Sequence, residues 1–181
     1  MTNLEPSSLL VIACGALARE IEWLKRNNAW DNVSVKCLDA ELHNHPDKIP
    51  DKLEALIAEN HDHFGQIFVA YGDCGTGGRI DKVLARWNIE RLPGAHCYSF
   101  YATEARFNAL AEAEPGTFYL TDFLVRHFDR LVIRGLKLDR HPQLLQDFFG
   151  HYRRVIYLAQ QEDEQLQGAA RRAANYLGLR F

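Results

Sequence analysis

The 181-residue chain is short of most features that would place it in a class at once. No apolar run approaches the roughly 20 residues that a membrane-spanning helix needs, so no membrane role is expected. The opening residues, Met1 to Ser8, lack the basic stretch followed by a long apolar one that marks a secretory signal, and a cytoplasmic location is expected. Charge of neither sign dominates. The balance of 21 Lys and Arg against 24 Asp and Glu leaves a net −3, which argues against nucleic acid or an anionic membrane surface as partner. No repeat, low-complexity segment or linker divides the chain. Its length suits one well-buried core and is short for two, so a single domain over residues 1–181 is expected. Cysteine is scarce, four in all, with no Cys-x-x-Cys pair of the zinc-ribbon kind. In a reducing compartment such cysteines are expected as free, metal-bound or catalytic thiols rather than disulfides.

The remaining sequence carries a clear pattern. Leu9–Cys14 is a short apolar run ending in Cys-Gly and reads as a buried parallel strand. Leu17, Ile21 and Leu24 then recur at helical spacing up to about Asn27. Val33–Leu38 reads as a second strand and Gln66–Tyr71 as a third, with a helix between them over Lys52–Glu59. Ile80, Val83, Leu84 and Trp87 mark a third helix, and a short strand is expected around Ile89–Leu92. The second half reads as more helical, with a helix over Tyr101–Ala113, a strand over Arg154–Ala159 and a last helix over Gln161–Leu177, stopped by Gly178. Phe118–Leu120 is ambiguous between strand and loop. This alternation implies an α/β fold: an open, mostly parallel sheet with helices on both faces.

In such sheets ligands bind beyond the carboxyl ends of the strands, where strand-to-helix loops and helix N-termini meet. Cys14 ends the first strand, Cys74 follows the third and Cys97 follows the fourth. All three are expected at that one edge. Gly15 and Gly75 adjoin two of them and leave room for a ligand against the main chain. A cysteine just before a helix is also biased toward its thiolate, the form that binds metals and attacks electrophiles. His96 adjoins Cys97, and His43 and His45 lie in the loop after the second strand. Cys14, Cys74 and Cys97 with His96 make a sound zinc set, three thiolates alone suit an iron–sulfur cluster, and His43 is a further candidate for the site. Asp73 is a candidate general base or a partner for a histidine.

Bland readings stand beside these. Free cysteine packs well as a small apolar residue, and Cys37, inside the second strand, is expected to do so. For any one of the other three, core packing explains the position as well as function does. Asp73 would equally cap its turn. Tyr71 and Tyr98 fit a core as well as a pocket wall. The glycine-rich stretch at 72–78 lacks the Lys-Ser/Thr of a P-loop. Three functions compete. The first is a metal-thiolate protein with zinc or an iron–sulfur cluster. The second is a non-catalytic module holding a cofactor or partner. The third is a metal-free thiol enzyme with Cys74 as nucleophile and His96 or His43 as base.

At these same residues the chain resembles the DUF1638 family. The resemblance is carried by Ile12-Ala13-Cys14-Gly15, Leu42-His43-Asn44-His45-Pro46, Tyr71-Gly72-Asp73-Cys74-Gly75, His96-Cys97 and Pro115-Gly116-Thr117-Phe118-Tyr119-Leu120-Thr121. Many members look to carry His-Asp-Cys where this chain has His96-Cys97. The resemblance implies a link to corrinoid-dependent methyl transfer in one-carbon metabolism, with a small molecule or a corrinoid protein as partner. The sequence itself has no Asp-x-His-x-x-Gly cobalamin signature.

Overall fold

The computed structural model describes residues 8–181. The opening segment in which no secretory signal is read therefore falls, apart from Ser8, outside the described residues. Among the described residues no helix is long and apolar enough to cross a membrane. The chain divides into two compact units, one ending at Cys97 and one spanning Tyr98–Phe181.

The first unit is a parallel sheet with helical crossovers. Its strands are β1 (Leu9–Cys14), β2 (Val33–Leu38), β3 (Gln66–Ala70) and β4 (Glu90–Arg91), in the order β2-β1-β3-β4. Its helices are α1 (Ala18–Asn27), α2 (Ile49–Asn60) and α3 (Arg79–Trp87). Right-handed crossovers place α1 on one face of the sheet and α2 and α3 on the other.

The face beneath α2 and α3 is the better sealed. Leu10 and Ile12 on β1 pair in register with Ile67 and Val69 on β3, and all four are buried. Ile49, Leu53 and Ile57 recur every four residues on α2 and are fully buried, as is Ile80 on α3. Each such aliphatic side chain contributes about 1.5–3 kcal/mol on leaving water. Lys36 Nζ on β2 reaches Asn60 Oδ1 at the end of α2, at 2.6 Å. On the opposite side α1 buries none of its residues, and Trp23 and Leu24 stand in solvent. The expected packing of Cys37 fails for this reason. β2 is an edge strand, and Cys37 is exposed on the poorly covered face, toward Glu22 of α1. Burial of part of the side chain, then Cys14 and Glu22, pushes its thiol pKa up.

The second unit holds helices α4 (Tyr98–Ala102) and α5 (Glu104–Ala113), strand β5 (Thr117–Thr121), helix α6 (Asp122–Arg126), helix α7 (Leu144–Phe149), strand β6 (Arg154–Leu158) and helix α8 (Glu164–Leu177). The helix read over Tyr101–Ala113 is two helices, because Thr103 takes a left-handed φ of 65° between them. The ambiguous segment at Phe118–Leu120 is strand β5. It pairs in parallel with β6, so the late strand forms a two-stranded sheet of its own and does not extend the first one. Arg154 ties this pair down, donating from Nε to Thr117 Oγ1 at 2.8 Å and from Nη2 to the Leu110 carbonyl at 2.8 Å. Asp163 caps α8 by accepting from Gln165 N and Leu166 N, and Gly178, at φ 70°, ends it. Ala170, Ala174 and Leu177 of α8 pack onto Leu120 and Val155 in the core.

Candidate thiol site

Strand order decides where the first unit places its chemistry. The chain winds from β1 out to β2, then crosses back over β1 to β3. The carboxyl ends of β1 and β3 therefore flank the point where the winding reverses, the usual crevice of an open parallel sheet. Cys14 is the last residue of β1, and Tyr71 is the first beyond β3. The strand register pairs Ala13 with Ala70, so its continuation sets Cys14 beside Tyr71 on the buried α2 and α3 face.

Four loops supply the site. Cys14 opens a short 3-10 turn and its Sγ accepts from Ala16 N at 3.3 Å. Gly15 lets the loop after β2 come close, since a Cβ there would lie 3.1 Å from the Leu38 carbonyl oxygen. The room at Gly15 is thus filled by protein backbone. That neighbouring loop turns because Asp39 Oδ1 accepts from Glu41 N at 2.9 Å. His43 follows in the same turn. Its Nδ1 lies 3.1 Å from the Ala40 carbonyl oxygen and 3.9 Å from Cys14 Sγ, and its ring stacks over Tyr71 with centroids 6.3 Å apart.

The third loop holds Cys74, and Asp73 builds it. The Asp73 carboxylate accepts from Thr76 Oγ1 at 2.7 Å, Gly77 N at 3.0 Å and Gly78 N at 2.7 Å. Slight burial opposes its charge, but these donors outweigh that and hold its carboxyl below the usual range. Its lone pairs are spent on the loop, which is the turn-capping reading. Gly75 sits at φ 80°, 3.8 Å from the Pro46 ring at its Cβ position. Cys74 itself has φ 50°, a left-handed conformation that a side chain of this type rarely adopts. Such strain persists where the surroundings over-determine it, most often at functional positions.

The fourth loop runs alongside the third. Asp73 N donates to Gly94 O at 3.0 Å and Cys74 N to Ala95 O at 2.9 Å. Gly72 gives the clearance, because a Cβ there would meet the backbone of His96 and Cys97 at 3.1–3.3 Å. Cys97 is carried to Cys74 by this zipper.

The sulfurs and the imidazole then polarise one another. Cys74 accepts a hydrogen bond from the Cys97 thiol and is hydrogen-bonded by His43. These outweigh its burial and bring its pKa down to about 5. Cys97 is pushed the other way, first by its bond to Cys74 and then by burial, so it keeps its proton. Burial disfavours a charged His43, yet hydrogen bonds to Cys14 and Cys74 raise its pKa to about 11. At neutral pH the group is therefore a Cys74 thiolate, a His43 imidazolium and a Cys97 thiol. The Tyr71 hydroxyl is fully buried beside Cys14 with no well-directed partner, and burial pushes it above the phenol range.

Cys14, Cys74 and Cys97 lie on loops at the same sheet edge, and His43 interacts with both Cys14 and Cys74. His96 lies near enough to Cys74 to favour its thiolate electrostatically. The cause of the lowered Cys74 value also differs from the expected one. Helix α3 starts only at Arg79, five residues on, and the neighbouring side chains supply the effect. Tyr71 is the residue that sequence reasoning left as wall or core. Its position at the end of the third apolar run, directly before the glycine-rich loop that carries Cys74, is the signal that would have found it. Among the described residues no group of three or more His, Cys, Asp or Glu side chains is arranged to hold a metal ion.

The fold and this edge define the class: a parallel α/β unit with a thiol cluster at its topological switch point. The chain belongs to the family described as "Protein of unknown function (DUF1638)", whose model matches residues 37–181. Cys14 lies ahead of the matched region, whereas His43, Cys74 and Cys97 lie within it. No curated protein and no solved structure matches the chain.

Proposed function

We propose that the first unit is a cysteine-dependent enzyme unit with Cys74 as its nucleophile. One observation carries this reading. Cys74, in a left-handed backbone conformation, sits on a loop hydrogen-bonded to the one that leads into Cys97, and Cys97 and His43 both favour its thiolate. The Cys74 sulfur forms the new bond to a soft electrophile, and the leaving group departs with its electron pair. His43, as imidazolium, stabilises the thiolate before attack and can give the leaving group its proton. A methyl group presented by a corrinoid partner, as the family resemblance implies, is one electrophile of this kind.

The test is a limiting dose of iodoacetamide at pH 6 on anaerobically purified, reduced protein, mapped by peptide mass spectrometry. Cys74 is expected to carry the label first, and Cys74→Ser to leave the other three cysteines slow. Equal, slow labelling of all four would refute the reading. The same preparation is analysed for metals. Near-stoichiometric zinc or iron, lost in a Cys14→Ser/Cys74→Ser double variant, would replace the nucleophile with a metal-thiolate centre.

A further inference from the structure

We propose that Cys74 and Cys97 are a dithiol couple that reduces small disulfides, with Cys74 as the attacking sulfur and Cys97 as the resolving one. This rests on the reading of Cys74 as a nucleophile and adds the substrate class and the second step.

A nucleophile needs a base or a cation beside it, and His43 supplies that. It does not need a second cysteine aligned to it by two backbone hydrogen bonds. Here the loops of Cys74 and Cys97 are zippered at 3.0 Å and 2.9 Å, and Gly72 has no side chain to press against the His96–Cys97 backbone. The two side chains interact across these zippered loops, and both cysteines are free and partly exposed.

The chemistry balances over two exchanges. The Cys74 thiolate attacks one sulfur of a disulfide RSSR. The S–S bond breaks and RS⁻ leaves with the electron pair, taking a proton from His43. Cys74 is now a neutral mixed disulfide. The negative charge that kept Cys97 protonated has gone, so its thiol can pass its proton to His43 and attack the Cys74 sulfur. The second RS⁻ leaves and is protonated. The substrate gains two electrons and becomes two thiols, while Cys74 and Cys97 lose two and become a disulfide. The order of events is built into the pair: the resolving sulfur is released only by the first step.

The experiment uses the full chain, reduced and anaerobic, with oxidised glutathione as the probe, read by intact mass and peptide mapping. The wild type is expected to lose two hydrogens, to form a Cys74–Cys97 link and to release two glutathione thiols per chain. Cys97→Ser is expected to stop at one glutathione bound to Cys74 and one released, and Cys74→Ser to leave Cys97 unmodified. A stable glutathione adduct on Cys74 of the wild type, or a link from Cys74 to Cys14, would overturn the couple. The peptide map of the wild type decides this even if a variant does not fold. If Cys74 takes iodoacetamide at pH 6 but forms no link to Cys97, the couple fails and the nucleophile stands. If Cys74 resists both reagents, both readings fail.

Discussion

The chain carries its own reference thiol for measuring the charge on Cys74. Cys37 is exposed and its pKa lies above the ordinary 9.0, whereas that of Cys74 is lowered to about 5. Only the thiolate reacts with iodoacetamide. Between pH 6 and pH 8 the thiolate fraction of Cys74 rises from about 90% to nearly all, a change of about 1.1-fold. Over the same interval a thiol of pKa 9.0 or above goes from about 0.1% to at most about 9%, a rise of roughly 100-fold. The ratio of the Cys74 rate to the Cys37 rate should therefore fall about 100-fold across those two units. Absolute rates decide less. With a Brønsted slope of about 0.4–0.5, four units of lowered basicity cost roughly 40–100-fold in intrinsic nucleophilicity, nearly cancelling the gain in thiolate at pH 7. Accessibility scales each rate by a constant and drops out of the pH dependence. The assay is competitive labelling with light and heavy iodoacetamide at pH 5, 6, 7 and 8, quantified per peptide. A Cys74 rate that is half-maximal near pH 5 and flat above pH 6 is expected. Parallel rises of about tenfold per pH unit at both cysteines from pH 5 to 8 would refute the account of the site.

Three further outcomes follow from the same geometry. Cys97→Ala and His43→Gln should each raise the Cys74 midpoint, because the Cys97 hydrogen bond and the His43 hydrogen bond and charge all lower it; a midpoint that either variant leaves unmoved in the labelling profile would remove that residue from the account. Tyr71→Phe removes a buried hydroxyl without a well-directed partner, so unfolding free energy from urea titration should stay level or rise by up to about 1 kcal/mol, and a loss above about 1.5 kcal/mol would reveal a bond to that oxygen. Asp73→Ala should cost about 1–2 kcal/mol at pH 7 through the lost turn cap. Because the carboxyl is held below its ordinary 3.8, the charge-dependent part is present above that pH and lost as pH falls through the lower folded value, so the gap to wild type should narrow at pH 3.

Much of the first unit is legible in the chain because local rules and tertiary structure agree there. The apolar runs at Leu9–Cys14 and Val33–Leu38 became strands with those same bounds, and Cys14, Cys74 and Cys97 were placed at one edge from strand polarity alone. The central strand Leu9–Cys14 is flanked on both sides and is a short, apolar, sharply bounded run, whereas the edge strand Val33–Leu38 includes Ser34 and Lys36 and buries only Val33. The second unit was harder to read for a physical reason. A strand such as Thr117–Thr121 shows its nature through its partner, and that partner begins at Arg154. Sequence cannot say whether a late strand joins an existing sheet or starts another, because both choices bury the same side chains.

What the sequence determined by itself is the α/β class, the parallel strands and the edge at which the thiols gather. Tertiary structure alone decided which groups meet there. It set His43 between the sulfurs, spent Asp73 on its own loop and left Cys37 exposed on an edge strand. Charge on Cys74 depends on hydrogen bonds from residues 31 positions before it and 23 after it, as the numbering of His43, Cys74 and Cys97 shows. Contacts of that range follow from strand order and loop clearance at glycines, which no local pattern encodes.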